Sequence, residues 1–476
     1  MVRFSLAWMF AVAVFASSVF ADPARFERLF DGRTMRVDYF HTGGKGTEIV
    51  ALDQIVNDGA WPGSTTQLID SSKPGEYFFE VTDVASGELV YSRGFSSIFG
   101  EWVTTPESKE EHRTFHESLR FPWPKGKVKV VLRKRGEDRT SFREVWTTTI
   151  DPSSRFVNSA ALPLKPNVTA ILENGPSSSK VDLALIAEGY TAGEMEKFRA
   201  DARRLTDALF RVEPFKSRKG DFNVWAVESV SGMTGVHQPR TGEPRRTPVS
   251  AVYNAFDSER YVLTFDNKAM RDVASAAPYE FVEILVNEAQ YGGGGIYNFQ
   301  ATTCVDSGFT EYVFVHEFGH HFAGLADEYY TSDVAYETGK SDIPEPWEPN
   351  ITAMRDPAKL KWKDLVTSGT PLPTPWPKEE YEKHSAAVQK TRRELRATGA
   401  PESEMDALFR EELLWDSKLL SSFAHAGKVG AFEGAGYEAK GLYRPQADCM
   451  MFTRDDVGFC RVCSRAIENV IEMYVK

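Results

Sequence analysis

Residues Glu311–Tyr330 read EYVFVHEFGHHFAGLADEYY, and everything else in the chain is read outward from His316-Glu317-Phe318-Gly319-His320. On an α-helix, positions i and i+4 share one face, so His316 and His320 can grip one metal ion. Glu317 stands one residue on, where a general base can reach water at that metal. The apolar run Tyr312-Val313-Phe314-Val315 fits a buried helix leading into the site. A chance match to this pattern is on the order of 1 in 100 for a chain with so few histidines. The plain competing reading is an amphipathic helix that holds two histidines.

A catalytic zinc takes three protein ligands and keeps one position for water. His321 points about 100° away from His320 around a helix, which assigns it to packing or support. Gly324 can end the helix in a left-handed conformation and turn the chain back. Asp327, three residues later, is then the favoured third ligand, with Glu328 the alternative.

The chain has 476 residues, 42% of them hydrophobic, with a formal charge of -12. That length corresponds to about two or three folded units. The acidic balance argues against a broad nucleic-acid footprint, which needs clustered basic charge. Four cysteines are too few for a disulfide-built scaffold. Residues 1–21 have the form of a signal peptide. Arg3 supplies the positive start, Leu6 to Phe20 an apolar run, and Val19 and Ala21 the small residues of a cleavage site. The run is short for a membrane span, and no later stretch is long and apolar enough for one. The expectation is an exported protein, secreted or periplasmic.

Residues 22–155 carry the signals of strands. Glu76 to Phe95 alternates around a turn at Ser86-Gly87, and Lys127–Arg135 and Arg143–Ile150 follow. A β-sandwich-like domain is expected, serving as scaffold or as a module that binds a protein or glycan. Residues 156–180, rich in Pro and Ser, read as a linker. From Val181 the pattern is strand, capping box (Thr191 and Glu194), helix, then strands at Phe222–Glu228 and Glu280–Asn287, the order of an α/β unit. A charged segment at about 378–427 reads as a helical insert with solvated faces.

HEFGHHFAGLAD resembles the metzincin signature H-E-x-x-H-x-x-G-x-x-H, with an extra residue before the glycine and Asp in place of the third His. Through Asp327-Glu328-Tyr329-Tyr330 it resembles the IgA peptidase family of secreted bacterial zinc metallopeptidases. The likeness extends to Val181–Tyr190, Tyr291–Gly295, Tyr443-Arg444-Pro445 and Cys449-Met450-Met451. It implies a metzincin-like α/β domain over 181–476, one catalytic Zn2+, and a protein or peptide substrate. No residue identifies immunoglobulin as that substrate. It implies a methionine turn beneath the metal at Met450 or Met451; Tyr443, just before that turn, is a candidate to stabilise an oxyanion, although a lone tyrosine is more often structural. In such a fold the strand above the cleft pairs with extended substrate, and Gly292 and Gly293 would permit the close approach.

Cys449, Cys460 and Cys463 cluster near the C-terminus, far from Cys304. C-x-x-C reads as half a structural zinc site or a redox pair, but in an exported chain disulfides are favoured. A bridge from Cys304 to the C-terminal cluster would fasten the Gly-rich segment to the cleft floor. The functional expectation is an exported zinc endopeptidase. The alternative is an exported adhesion or glycan-binding protein whose metal site is structural or idle.

Overall fold

The computed structural model describes residues 23–162, 166–331 and 343–475. Residues 1–21, read from the sequence as a signal peptide, lie outside the described residues. No helix among them is long and apolar enough to cross a membrane.

The N-terminal region forms two four-stranded sheets. One holds Arg113–Pro124, Phe30–Gly44, Thr47–Ala60 and Val157–Asn158 in that order; the other holds Leu89–Phe95, Tyr77–Asp83, Val128–Arg135 and Phe142–Ile150. Successive strand residues point to opposite faces. Val37 and Tyr39, Phe79 and Val81, and Val130 and Leu132 therefore enter one shared core. The Ser86-Gly87 turn is held by Asp83, whose carboxylate accepts from the Ser86 amide at 2.8 Å.

The second body is built on a six-stranded sheet: β1 (Asn167–Leu172), β2 (Val181–Glu188), β3 (Phe222–Glu228), β4 (Phe281–Val286), β5 (Gly293–Ile296) and β6 (Gln300–Cys304). Its order is β5-β6-β4-β2-β3-β1. The four inner strands are parallel and the two edge strands antiparallel. Every residue of β2 is buried, as a central strand covered on both faces requires. The Thr191–Glu194 capping box forms and opens α1 (Met195–Leu209), which buries Met195, Phe198, Leu205 and Leu209. With α1, the helices α2 (Thr310–Ala323) and α5 (Arg461–Val475) cover one face of the sheet, where Leu183, Leu185, Phe281, Phe318, Phe322 and Ile467 share a core.

Two expectations need correction. The segment read as a linker over 156–180 carries β1, which pairs with β3 and completes the sheet. Its Pro and Ser content masked a short edge strand that needs only one bonded side. The insert is helical, as α3 (Lys378–Thr398) and α4 (Glu402–Ser421), yet it is not simply solvated. α4 buries Met405, Phe409, Glu412, Asp416 and Leu420. Their 4-3-4-4 spacing, read in order as 405, 409, 412, 416 and 420, makes one helical stripe. Two of its members are acidic, so a charge count does not reveal it.

Candidate metal centre and active-site cleft

α2 brings His316 and His320 to one face, and Gly324 caps it with φ 60, in the left-handed region. The Gly324 amide donates to the His320 carbonyl at 3.0 Å, so the chain reverses there as the glycine's position implied. Asp327 then returns to the histidines. Its Oδ1 lies 3.1 Å from His316 Nε2 and 3.2 Å from His320 Nε2. The two Nε2 atoms are themselves 3.1 Å apart.

Each imidazole is oriented from behind. His316 Nδ1 lies 3.0 Å from the Met450 carbonyl, and His320 Nδ1 lies 2.6 Å from the Leu325 carbonyl. A carbonyl can only accept, so each Nδ1 carries a proton and each Nε2 is the nitrogen that faces Asp327. Tyr312 Oη, 3.1 Å from His316 Nδ1, accepts from the same ring edge. Two imidazoles and one carboxylate converging on a point are a group that could hold a metal ion. His321 faces elsewhere. Its Nδ1 donates to the Ile296 carbonyl at 3.0 Å, and its Nε2 accepts from the Val282 amide at 3.1 Å. Burial holds its pKa down at about 3, so it ties the helix to β4 and β5 as a neutral ring.

Charge is shared unequally across the group. Burial alone would raise the Asp327 pKa, but the His320 imidazolium and hydrogen bonds from both histidines hold it well below the ordinary carboxylate range. Glu317 is pushed up by burial, with opposing pulls from His316 and His320. Behind it on β4, Glu283 is fully buried. Neither of its carboxyl oxygens has a hydrogen-bond partner. Burial and then the Glu317 charge push the Glu283 carboxyl well above the usual range.

Met450 contributes its backbone carbonyl to His316, and Met451 lies beneath the helix. A Cβ on Gly319 would come 3.1 Å from Met451 Sδ. The methionine pair therefore floors the site by two different means.

Several expected positions are corrected. Tyr443 pairs by backbone with Thr352, sits opposite Glu433 and is not among the residues that line the cleft. The tyrosine at the site is Tyr437, whose hydroxyl donates to Asp327 Oδ2. It occupies the tip of the hairpin β7 (Phe432–Ala435) and β8 (Glu438–Arg444), in a two-residue turn with Gly436 φ 57 and Tyr437 φ 64. A bulky residue there is strained, at a cost of order 1–3 kcal/mol, which the hairpin offsets by packing. Amides of Gly436 and Tyr437 bond the carbonyls of Asp327 and Tyr329, at 2.9 and 3.1 Å. Arg260 Nη2 donates to Tyr329 Oη at 3.1 Å, and Tyr329 and Tyr437 hydroxyls lie 3.4 Å apart. Neither Arg260 nor Tyr437 stands in a motif, and only the fold brings them to the site.

Gly292 and Gly293 serve packing rather than an open edge. The Gly293 amide donates to the Arg260 carbonyl and its own carbonyl accepts from Val262, both at 3.1 Å. A Cβ on Gly293 would meet Val313 Cγ1 at 2.6 Å and Glu317 Cγ at 3.2 Å. A Cβ on Gly292 would meet the Arg260 carbonyl at 2.9 Å. The glycines let β5 lie directly on the metal-binding helix.

All four cysteines are free thiols. Cys304 packs on the opposite face of the sheet from Cys449, Cys460 and Cys463. The bridge from Cys304 to the C-terminal cluster is therefore ruled out by the sheet between them. Cys304 Sγ lies 2.7 Å from Tyr253 Oη instead. Glu328 is also reassigned. It is fully buried with the three C-terminal cysteines and does not share the His316–His320 point.

A cleft of about 730 Å³ runs across the site, with Glu317, His320, Asp327 and Tyr437 on one side. Glu76, Glu101, Lys134, Arg135 and Arg139 of the N-terminal region form part of its wall. That region is fastened in place. Arg36, buried beneath it, bonds Asp58 at 2.8 Å and reaches Asp272 of the second body at 2.7 Å. Tyr279 Oη donates to Asp58 Oδ2 at 2.9 Å. The scaffold expected of this region is therefore also a cleft wall. On the far side, Gln389 of α3 and Glu412, Leu413 and Asp416 of α4 line a second recess that reaches His316 and Glu317.

The chain is thus built as an N-terminal domain and a second domain that carries the His316–His320 helix. The family model described as IgA Peptidase M64 matches residues 169–471, and that described as Peptidase M64 N-terminus matches 25–147. The chain belongs to the IgA peptidase M64 family. A search of curated proteins finds no match.

Proposed function

We propose that the chain is an exported zinc-dependent endopeptidase, with a sandwich-like N-terminal domain and a metzincin-like catalytic domain. The observation that carries this is the pairing of both Nδ1 atoms with backbone carbonyls, which aims His316 Nε2 and His320 Nε2 at Asp327. His316, His320 and Asp327 would hold the zinc. Bound there, zinc supplies Lewis acidity, polarising a scissile carbonyl and acidifying water.

The rest of the chemistry belongs to side chains. Glu317 lies beside the histidines and lines the cleft. As general base its carboxylate takes the proton of the attacking water, then delivers it to the departing amine. The raised Glu317 pKa suits both halves of that transfer. Tyr437 steadies Asp327 through its hydroxyl. Where its turn places it, the same hydroxyl can be released to donate to an oxyanion. Residues of both domains line the cleft, and a peptidase of this family takes a protein or peptide as its substrate.

Export rests on the form of residues 1–21. Digestion of a denatured-protein mixture, with and without a chelator, tests the activity. Cleavage that stops on chelation and returns with zinc is expected; no cleavage by zinc-loaded protein would refute the proposal.

A further inference from the structure

Behind the cleft floor lies a group the peptidase reading does not use. Glu328, Cys449, Cys460 and Cys463 offer four ligand atoms, all within 4.8 Å of one another and all from buried residues. We propose that these four side chains hold a second metal ion, a structural zinc distinct from the ion of the His316–His320–Asp327 site.

The spacing is that of a coordination shell. Metal–sulfur bonds of about 2.3 Å in a tetrahedron set sulfurs about 3.8 Å apart. Cys449 Sγ and Cys463 Sγ are 3.8 Å apart. With a metal–oxygen bond of about 2.0 Å, sulfur and oxygen ligands should stand about 3.5 Å apart. Glu328 Oε1 lies 3.3 Å from Cys463 Sγ and 4.0 Å from Cys460 Sγ. A disulfide needs a sulfur separation of about 2.05 Å and would leave one of three thiols over.

The surroundings suit thiolates. Amides of Met451 and Cys460 point at Cys449 Sγ, at 3.5 and 3.2 Å, and the Cys463 amide points at Cys460 Sγ at 3.4 Å. Cys460 immediately precedes α5, where the helix dipole favours negative charge. Glu328 Oε1 is oriented by Asn350 Nδ2 at 3.0 Å, while Glu328 Oε2 is buried with no partner. A buried carboxylate oxygen left without a hydrogen bond is costly, and a cation is one of few groups that satisfies it. Metal binding would displace the thiol protons to water. Arg444, wholly buried and acting on Glu328, offsets one of the two negative charges that would remain.

The placement couples the two sites. Glu328 follows Asp327 directly, and its amide donates to the Met451 carbonyl at 2.8 Å. Cys449 precedes Met450, whose carbonyl orients His316. One buried ion would thus pin the strap after α2, the methionine turn and the start of α5 to each other.

Metal counting on the full chain tests this. Wild type should carry two zinc ions per chain, and the His316→Ala/His320→Ala variant should keep one. Loaded with cobalt(II), that double variant should show thiolate-to-metal charge-transfer absorption, and Cys463→Ser should lose the band. The histidine variant leaves every cysteine in place, so it decides the matter even where Cys463→Ser fails to fold. One zinc in wild type and none in the histidine variant would overturn the proposal. So would a disulfide among the three cysteines in the intact mass of freshly purified protein.

Discussion

The carbonyl of Met450 accepts a hydrogen bond from His316 Nδ1, 3.0 Å away. One bond thus joins a turn near the C-terminus to a helix more than a hundred residues earlier, and it sets which nitrogen of His316 faces Asp327. Removing that imidazole removes both a donor and the reason for the geometry. His316→Ala is expected to lose the zinc of the site and all hydrolysis, while the far-ultraviolet dichroism stays that of the folded chain. Full activity with one histidine would exclude the assignment.

Tyr437 donates to Asp327, the proposed third metal ligand, and also faces the cleft. Removing a hydrogen-bond partner of a metal ligand typically costs about 10- to 100-fold in affinity or activity. Tyr437→Phe should fall in that range in kcat, and Tyr443→Phe should stay near wild type. Steady-state kinetics on one peptide separates them; equal losses would restore Tyr443 to the site.

His320 gives the metal-free protein a pH signature. Burial would lower its pKa, but Asp327 raises it to about 9. A raised folded-state value means the imidazolium–carboxylate pair adds stability below about pH 6.5, the unfolded value, and that stability is lost as pH rises towards 9. Melting temperatures of chelated wild type should therefore drop between those limits more than those of Asp327→Asn. Parallel curves for the two proteins would show that the pair contributes nothing.

Gly295 tests the packing of β5 on α2. An added Cβ would run into the Glu317 carbonyl and come 2.9 Å from His320 Cβ. Overpacking of this kind costs about 1–3 kcal/mol. Gly295→Ala should lower the unfolding free energy from denaturant titration by that amount and weaken zinc retention together. Gly220→Ala, where an added Cβ meets nothing within 4 Å, should leave zinc retention unchanged.

Much of this arrangement is readable along the chain because it is local. The i, i+4 histidines, the left-handed Gly324 and the returning Asp327 all lie within a dozen residues, where helix geometry dictates position. The central strands announce themselves by unbroken apolar runs. Asp327 and Glu328 could not be separated by spacing alone. Consecutive residues of an extended segment point to opposite sides, so one meets the histidines and the other the cysteines. Tyr437 was hidden because its approach depends on a hairpin that closes over the strap after α2. Cys304 was misplaced because its side of the sheet is set by register, which sequence distance does not carry. The acidic members of the α4 stripe counted as solvent-facing charge until the recess beside His316 gave them a place.

The peptidase reading stands or falls with Glu317. Replacing it by Gln keeps the side chain's size and removes its power to take a proton. The decisive measurement is peptide hydrolysis by zinc-loaded Glu317→Gln, with metal content determined on the same sample. Zinc retained at the wild-type level with hydrolysis lost by several orders of magnitude is the expected result. Hydrolysis at the wild-type rate with the same zinc content would show that Glu317 is not the base.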